Sequence, residues 1–258
     1  MLAERQRQVT TVLAVSNLSV LYGGRPVIHD LTFSLESGVV VLAGPNGAGK
    51  TTILRVLATL LPFEGAVVLD GCDLSTASGR RRARSRLGFL PQEAAFPDDF
   101  TVAEAITYAA WLQRVPARAR RAAVDAALAT VDLAGRAATP LKELSTGLRR
   151  RAFLAQAIVH QPPVLLLDEP TAGVDTEHRA GFRRMVRSLA EDRLVVLSTH
   201  LTEEIEFLAD RILVLGGGRI RFDGTPVELE AMAGAGRSDE RRVEGALRAL
   251  TDLPEAVD

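Results

Sequence analysis

Residues 39–61 read VVVLAGPNGAGKTTILRVLATLL, and the succession of textures in that stretch decides the fold. An apolar run fits a fully buried strand, and TTILRVLATLL repeats its apolar residues at helical spacing. Between them, Gly44 to Thr51 satisfy G-x-x-x-x-G-K-[ST]. Gly44, Gly47 and Gly49 let the backbone wrap at φ values most residues avoid, so that successive N–H groups converge on phosphate oxygens. Lys50 supplies a point charge for the β- and γ-phosphates, and the Thr51 hydroxyl is a ligand for Mg2+. Pro45, Asn46, Ala48 and Thr52 complete the loop. A plain Gly-rich helix cap would explain the glycines but not a lysine and a threonine placed between strand and helix.

The strand texture returns in VLLLDEP (164–170), LVVLSTH (194–200) and RILVLGGGRI (211–220), with helix-like DTEHRAGFRRMVRSLAE and LTEEIEFLAD between them. Strands that are apolar throughout and alternate with helices predict an α/β fold with a mostly parallel sheet covered on both faces. Acids at the carboxyl end of such a strand face the crevice where ligands bind. Asp168 is therefore expected to hold the metal, and Glu169 to polarise an attacking water. The first forty residues read as strands and turns, whereas 101–160 are rich in Ala, Arg and Leu at helical spacing and form a helical insert. The expected division is a core over 1–225 with that insert, followed by a helical extension over 226–258.

The 258 residues, 47% of them hydrophobic, are enough for a substantial core. A net charge of −1 provides no single-signed field for nucleic acid or an anionic membrane. The arginine runs at 80–86, 118–121 and 149–151 lack interleaved aromatics and read as solvated helix faces, the last adding positive potential, so no nucleic-acid partner is expected. Cys72, the single cysteine, fits a reducing compartment. No apolar run reaches the ~18 residues that span a bilayer, and MLAERQRQ at the start lacks a signal-like segment. A cytoplasmic location is expected.

A second anion-binding helix start lies in KELSTGLRRR (142–151), where Ser145 and free N–H groups precede an apolar helix. With it, the chain resembles the ATP-binding-cassette (ABC) ATPases from about Leu18 to Asp223. LSTGL stands where that family has LSGGQ, FLPQE matches its Q-loop at Gln92, STH its switch histidine at His200, AGVD its D-loop aspartate at Asp175, and Tyr22 its adenine-stacking aromatic. The resemblance implies a P-loop NTPase with an antiparallel β subdomain at the N-terminus and an inserted α-helical subdomain. It implies ATP and Mg2+ as cofactors, the ion held by Thr51, Asp168 and Gln92, with Lys50, Glu169, Gln92 and His200 as catalytic residues. It also implies head-to-tail pairing of two nucleotide-binding domains, in which Ser145, Thr146 and Gly147 contact the γ-phosphate held by the partner.

Thr146 and Leu148 depart from the family pattern. Leu148 falls in register with Ala152, Ala155 and Val159, which predicts packing inward. The expected function is ATP hydrolysis driving a separate membrane permease, in the style of drug, lipid or polymer exporters. The protein would sit on the inner membrane face through that permease, with a permease helix received near Gln92–Phe100. The alternatives are a soluble single-cassette ATPase in assembly or translation, or a nucleotide-binding module without turnover.

Overall fold

The structure, a computed structural model, describes residues 12–232 and 242–251. The expected leader-free start and parts of the expected C-terminal extension, 233–241 and 252–258, lie outside the described residues. The chain enters through β1 (Leu13–Tyr22) and β2 (Arg25–Leu35), which pair antiparallel. β3 (Gly38–Ala43) then leaves that ladder for a second sheet, while β4 (Glu64–Leu69) and β5 (Cys72–Asp73) return to the first, giving the order β2-β1-β4-β5.

The second sheet runs β10-β9-β3-β8-β7-β6, formed by β6 (Leu87–Leu90), β7 (Val164–Asp168), β8 (Leu194–Thr199), β9 (Arg211–Gly216) and β10 (Arg219–Gly224). All its pairings are parallel except that of β10 with β9. RILVLGGGRI is thus a hairpin rather than one strand. Gly217 and Gly218 make its turn at φ 57° and 70°, which a glycine pair adopts without a Cβ penalty.

Burial on both faces explains why these strands are apolar without alternation. Val39, Val41 and Ala43 of β3 join one core, with Leu165, Leu167, Val195 and Leu197, while Val40 and Leu42 join the other, with Leu166 and Val196. The second core lies between the sheet, α1 (Lys50–Leu57) and the antiparallel ladder; Ile53, Leu54 and Leu57 reach it from the helix. Each such leucine or isoleucine removed from water contributes about 1.5–3 kcal/mol. A short helix not anticipated from the pattern, α2 (Ala77–Ala83), is N-capped by the Thr76 hydroxyl, which accepts from Gly79 N–H.

The first core is completed by α3 (Val102–Leu112), α4 (Ala117–Thr130) and α5 (Thr146–Ile158), all inserted between β6 and β7. Thr101 and Glu104 form a capping box that starts α3. Leu148 packs against this core, as its spacing predicts. α6 (Thr176–Leu189), α7 (Thr202–Leu208), α8 (Pro226–Met232) and α9 (Arg242–Thr251) cover the rest of that face, through Phe182, Ile205, Leu229, Val243 and Leu250.

One histidine ties the insert to the sheet. His160, just past α5, donates from Nε2 to the Leu87 carbonyl at 3.1 Å, and its buried Nδ1 has no hydrogen-bond partner among the described residues. Desolvation pushes its pKa below the ordinary imidazole value, against the pull of the Leu87 hydrogen bond. As pH falls through about 6.5 the unfolded chain takes up this proton first, so stability is full above that pH and declines below it. The melting temperature of His160→Gln, whose amide can still donate to Leu87, should lose less on acidification from pH 7.5 to 5.5 than that of the wild type. Parallel melting curves that slope equally would remove His160 as the cause.

Candidate functional site

The carboxyl ends of β3, β6, β7 and β8 carry Gly44–Gly49, Pro91–Gln92, Glu169 and His200. In a parallel sheet these ends share one edge, and the fold therefore gathers loops from distant parts of the chain. Gly44 sits at φ 145°, where a Cβ would lie 2.4 Å from the Leu215 carbonyl oxygen. Gly49, at φ 104°, begins α1, and a Cβ there would meet Ile28 Cδ1 at 2.4 Å. Side chains at either position would displace the loop from the antiparallel ladder and the neighbouring strand.

Lys50 is buried, and its Nζ donates to the carbonyls of Gly44 (2.7 Å) and Pro45 (3.0 Å). Its ammonium lies 4.0 Å from Glu169 Oε1. Burial lowers the lysine pKa, while Glu169 and Asp168 pull it back up. Thr51 Oγ1 donates to Asp168 Oδ1 at 3.0 Å, and the same oxygen accepts from Ser198 Oγ at 2.7 Å. Ser198 Oγ also accepts the Glu169 N–H at 2.9 Å. His200 Nδ1 lies 2.9 Å from Glu169 Oε2. Glu169 holds φ 45°, a left-handed conformation rare outside glycine and a form of strain that clusters at functional positions.

Lys50, Thr51 and Glu169 border a cavity of about 450 Å3, with Tyr22, Asn46, Thr52 and Gln92 also on its wall. Tyr22 is 65% exposed at the end of β1, so its ring is open to a ligand. The oxygens of Thr51 and Asp168, one hydroxyl and one carboxylate already 3.0 Å apart, are hard donors of the kind Mg2+ takes along with phosphate and water. The signature residues do not line this cavity.

The ABC transporter family model matches residues 28–172. The chain is 38% identical to a daunorubicin resistance ATP-binding protein, DrrA3, of Streptomyces coeruleorubidus, over 89% of this chain and 73% of that protein. It is 37% identical to a Nod factor export ATP-binding protein I of Ralstonia nicotianae, over 85% and 69% of the respective chains. This chain belongs to the ABC transporter family, as an ATP-binding subunit. Its fold is that of a solved ATP-binding subunit of an ABC transporter, with a TM-score of 0.79 over 92% of this chain and 99% of the other at 24% identity. A bacterial Atm1-family ABC exporter with ATP bound superposes with a TM-score of 0.76 at 28% identity, over 92% of this chain and 42% of that one.

The LSTG stretch of this ABC family member leads into α5. Ser145 is the N-cap, its hydroxyl accepting from Leu148 N–H at 3.4 Å, and Thr146 and Gly147 form the first turn. Asp175 caps α6, accepting from the His178 N–H at 2.9 Å and from His178 Nδ1 at 2.8 Å. Those hydrogen bonds, the backbone one foremost, hold the Asp175 carboxyl below its ordinary pKa. His178 in turn covers Gly147, where a Cβ would lie 3.2 Å from His178 Cβ. The starts of α5 and α6 are therefore packed on each other within one chain.

The arginine runs at 80–86 and 118–121 are largely the solvated faces that their composition suggests, Arg81, Arg82, Arg84, Arg86, Arg118 and Arg121 being exposed, whereas the run at 149–151 is not. Arg80 donates to the carbonyls of Leu74 and Ser75, Arg120 to that of Val115, Arg149 pairs with Asp98 and Arg151 with Asp132. Arg150 is the sharpest departure, only 8% exposed and enclosed by backbone carbonyls. Its place four residues before Leu154, on the buried stripe of α5, is the signal that a reading of RRR as one basic patch overlooks. Ser198 was also overlooked; only the register that sets it beside Asp168 across β7 and β8 reveals it.

Proposed function

We propose that this chain hydrolyses ATP as one half of a nucleotide-dependent dimer and thereby drives a separate membrane permease, as an exporter. The observation that carries the catalytic part is the Glu169 carboxylate, held between His200 Nδ1 at 2.9 Å and Lys50 Nζ at 4.0 Å at the edge of the cavity. Lys50 and the loop N–H groups would grip the β- and γ-phosphates, Glu169 would accept a proton from water, and His200 would hold Glu169 and donate toward developing charge. Thr51 and Asp168, with Gln92, would hold Mg2+, which when bound offsets phosphate charge. Tyr22 would stack on the adenine.

Ser145, Thr146 and Gly147 lie outside the cavity, which fits their serving a partner's nucleotide. A helix N-terminus contributes about 0.3–1 kcal/mol toward an exposed anion and up to ~2 when partly buried, enough for a latch and too little for the primary grip. ATP would thus favour the closed pair because only the closed pair contacts it from both sides. Gly147→Val adds a branched side chain against His178 and over the N–H groups. It should leave ATP affinity of the monomer unchanged, abolish the ATP-dependent dimer and lower turnover by roughly tenfold or more, as read by equilibrium binding, light scattering and phosphate release.

The permease reading draws on a groove of about 410 Å3 between α3, α5 and the end of β6, bordered by Leu90, Pro91, Ala94, Leu112 and Phe153. Leu60 and Leu112 are 59% and 56% exposed there, an apolar rim suited to a short helix. Among the described residues no helix is long and apolar enough to cross a membrane. The relatives named for daunorubicin resistance and Nod factor export support the exporter direction. On this reading the protein would sit at the inner face of the cell membrane, as a core over 1–225 with its helical subdomain at about 101–160 and an extension over 226–258. Purification of the tagged chain from its own cells in mild detergent should bring down a stoichiometric integral membrane protein. Recovery of the chain alone from intact membranes would overturn the permease assignment.

A further inference from the structure

Arg150 uses every donor it has on the main chain. Nη1 donates to the carbonyls of Pro91 and Gln92, both at 2.9 Å, Nη2 to those of Asp168 (2.8 Å) and Glu169 (3.1 Å), and Nε to that of Pro170 (2.9 Å). A guanidinium has five N–H donors in a rigid planar fork, and here five carbonyls meet them. Burial lowers its pKa to about 10, opposed by Asp168 and Glu169, so the group is a cation at neutral pH. Burying a cation away from solvent is costly, and here the five carbonyls offset that cost; an apolar side chain of similar volume would leave each of them without this donor.

What the cation holds is specific. Gln92 and Glu169 come from two strand ends, β6 and β7, and both side chains line the nucleotide cavity. Glu169 is clamped on both sides, its N–H by Ser198 Oγ at 2.9 Å and its carbonyl by Arg150. Those two contacts sustain its left-handed backbone, and with it the direction of its carboxylate toward Lys50 and His200. Arg150 itself rides on α5 one turn after Gly147, so the helix whose start would meet a partner's phosphate also carries the clamp on this chain's own carboxylate.

We propose that Arg150 is a positioning residue that couples the signature to the chain's own site, fixing Gln92 and Glu169 relative to α5 so that closure on a partner's nucleotide sets the catalytic carboxylate. This deepens the dimeric-ATPase reading and rests on it. The two sites of a dimer then become interdependent through ten hydrogen bonds, five per chain. Misplacement of a catalytic group by about 1 Å can reduce a rate by roughly 10²-fold without loss of binding.

The test compares Arg150→Met and Arg150→Lys with the wild type, each also combined with Glu169→Gln. Coupling predicts that kcat for phosphate release falls roughly 10- to 100-fold in Arg150→Met while KM for ATP changes less than about threefold. In the Glu169→Gln background, where turnover is removed, the Arg150→Met chain should still dimerise with Mg-ATP in light scattering. Arg150→Lys keeps the charge but has only three donors for five carbonyls, and kcat should recover only in part. A kcat within twofold of wild type in either variant overturns the proposal. So does joint loss of ATP binding, dimerisation and turnover in both variants, since Arg150 would then be a folding element. Absence of turnover and of an ATP-dependent dimer in the wild type and in Glu169→Gln would instead strike the dimeric-ATPase reading, and this inference with it.

Discussion

Glu169→Gln should bind Mg-ATP, accumulate as a dimer, and release phosphate roughly 10²- to 10⁴-fold more slowly than the wild type, the range removed with a general base. The substitution is nearly isosteric, so its oxygen can still accept from His200 Nδ1, now 2.9 Å from Glu169 Oε2. The backbone clamp of Ser198 on the N–H and Arg150 on the carbonyl does not involve the carboxylate and is retained. What changes is one negative charge close to the cavity, 4.0 Å from the Lys50 ammonium. Its removal takes away the proton acceptor and also relieves repulsion against the phosphates, so affinity for ATP should hold or rise. With binding intact and hydrolysis blocked, the closed pair has no route to open. Light scattering with and without Mg-ATP, beside a phosphate-release assay, measures both halves of the expectation. Turnover within tenfold of the wild type would show that another group activates water. A monomer at saturating ATP would show that Ser145, Thr146 and Gly147 do not latch two copies of this chain.

The parts of this fold that were legible in the sequence are those written locally. Val39 to Leu61 declare strand, loop and helix in one stretch because the phosphate loop needs its glycines, lysine and threonine consecutive. VLLLDEP and LVVLSTH announce their strands because both faces are buried and no polar residue interrupts them. The hairpin of β9 and β10 is hidden in RILVLGGGRI because only Arg219 and Ile220 follow the three glycines there, and the charged, alternating RIRFDG of β10 has no apolar run to mark it as a strand. α2 was missed because its ASGRRRA sequence has little apolar periodicity, its start resting on the Thr76 hydroxyl. Within the site, Lys50, Thr51, Asp168, Glu169 and His200 could be named one by one, yet their mutual distances depend on strand order. Ser198 and Arg150 could not be read as part of it from local texture. Ser198 acts through the lateral register of β7 and β8, and Arg150 through carbonyls, which have no side-chain identity to betray them.

Lys50→Met should weaken ATP binding by roughly 10²- to 10³-fold, about 3–4 kcal/mol, within the loss typical when one member of a desolvated charge pair is truncated. The lysine is 5% exposed and already directed into the loop by the carbonyls of Gly44 and Pro45, so little ordering remains to be done when phosphate arrives. Without it Glu169 remains at the cavity edge with Asp168 buried behind it, and the phosphates meet like charge with no lysine to offset it. The unliganded protein should respond differently. Methionine fills most of the same volume, and burying it carries none of the desolvation that depresses the lysine pKa. Asp168 keeps Thr51 and Ser198, and Glu169 keeps His200. Against that gain, the Gly44 and Pro45 carbonyls lose their donor and Glu169 its ammonium neighbour, so the melting temperature of Lys50→Met without nucleotide should fall only modestly below that of the wild type, while the upward shift caused by ATP should nearly vanish at concentrations that saturate the wild type. Thermal melts of both proteins across an ATP series separate the two effects. An undiminished ATP shift in Lys50→Met would mean that the grip on the phosphates comes from the loop N–H groups and the start of α1 without the lysine.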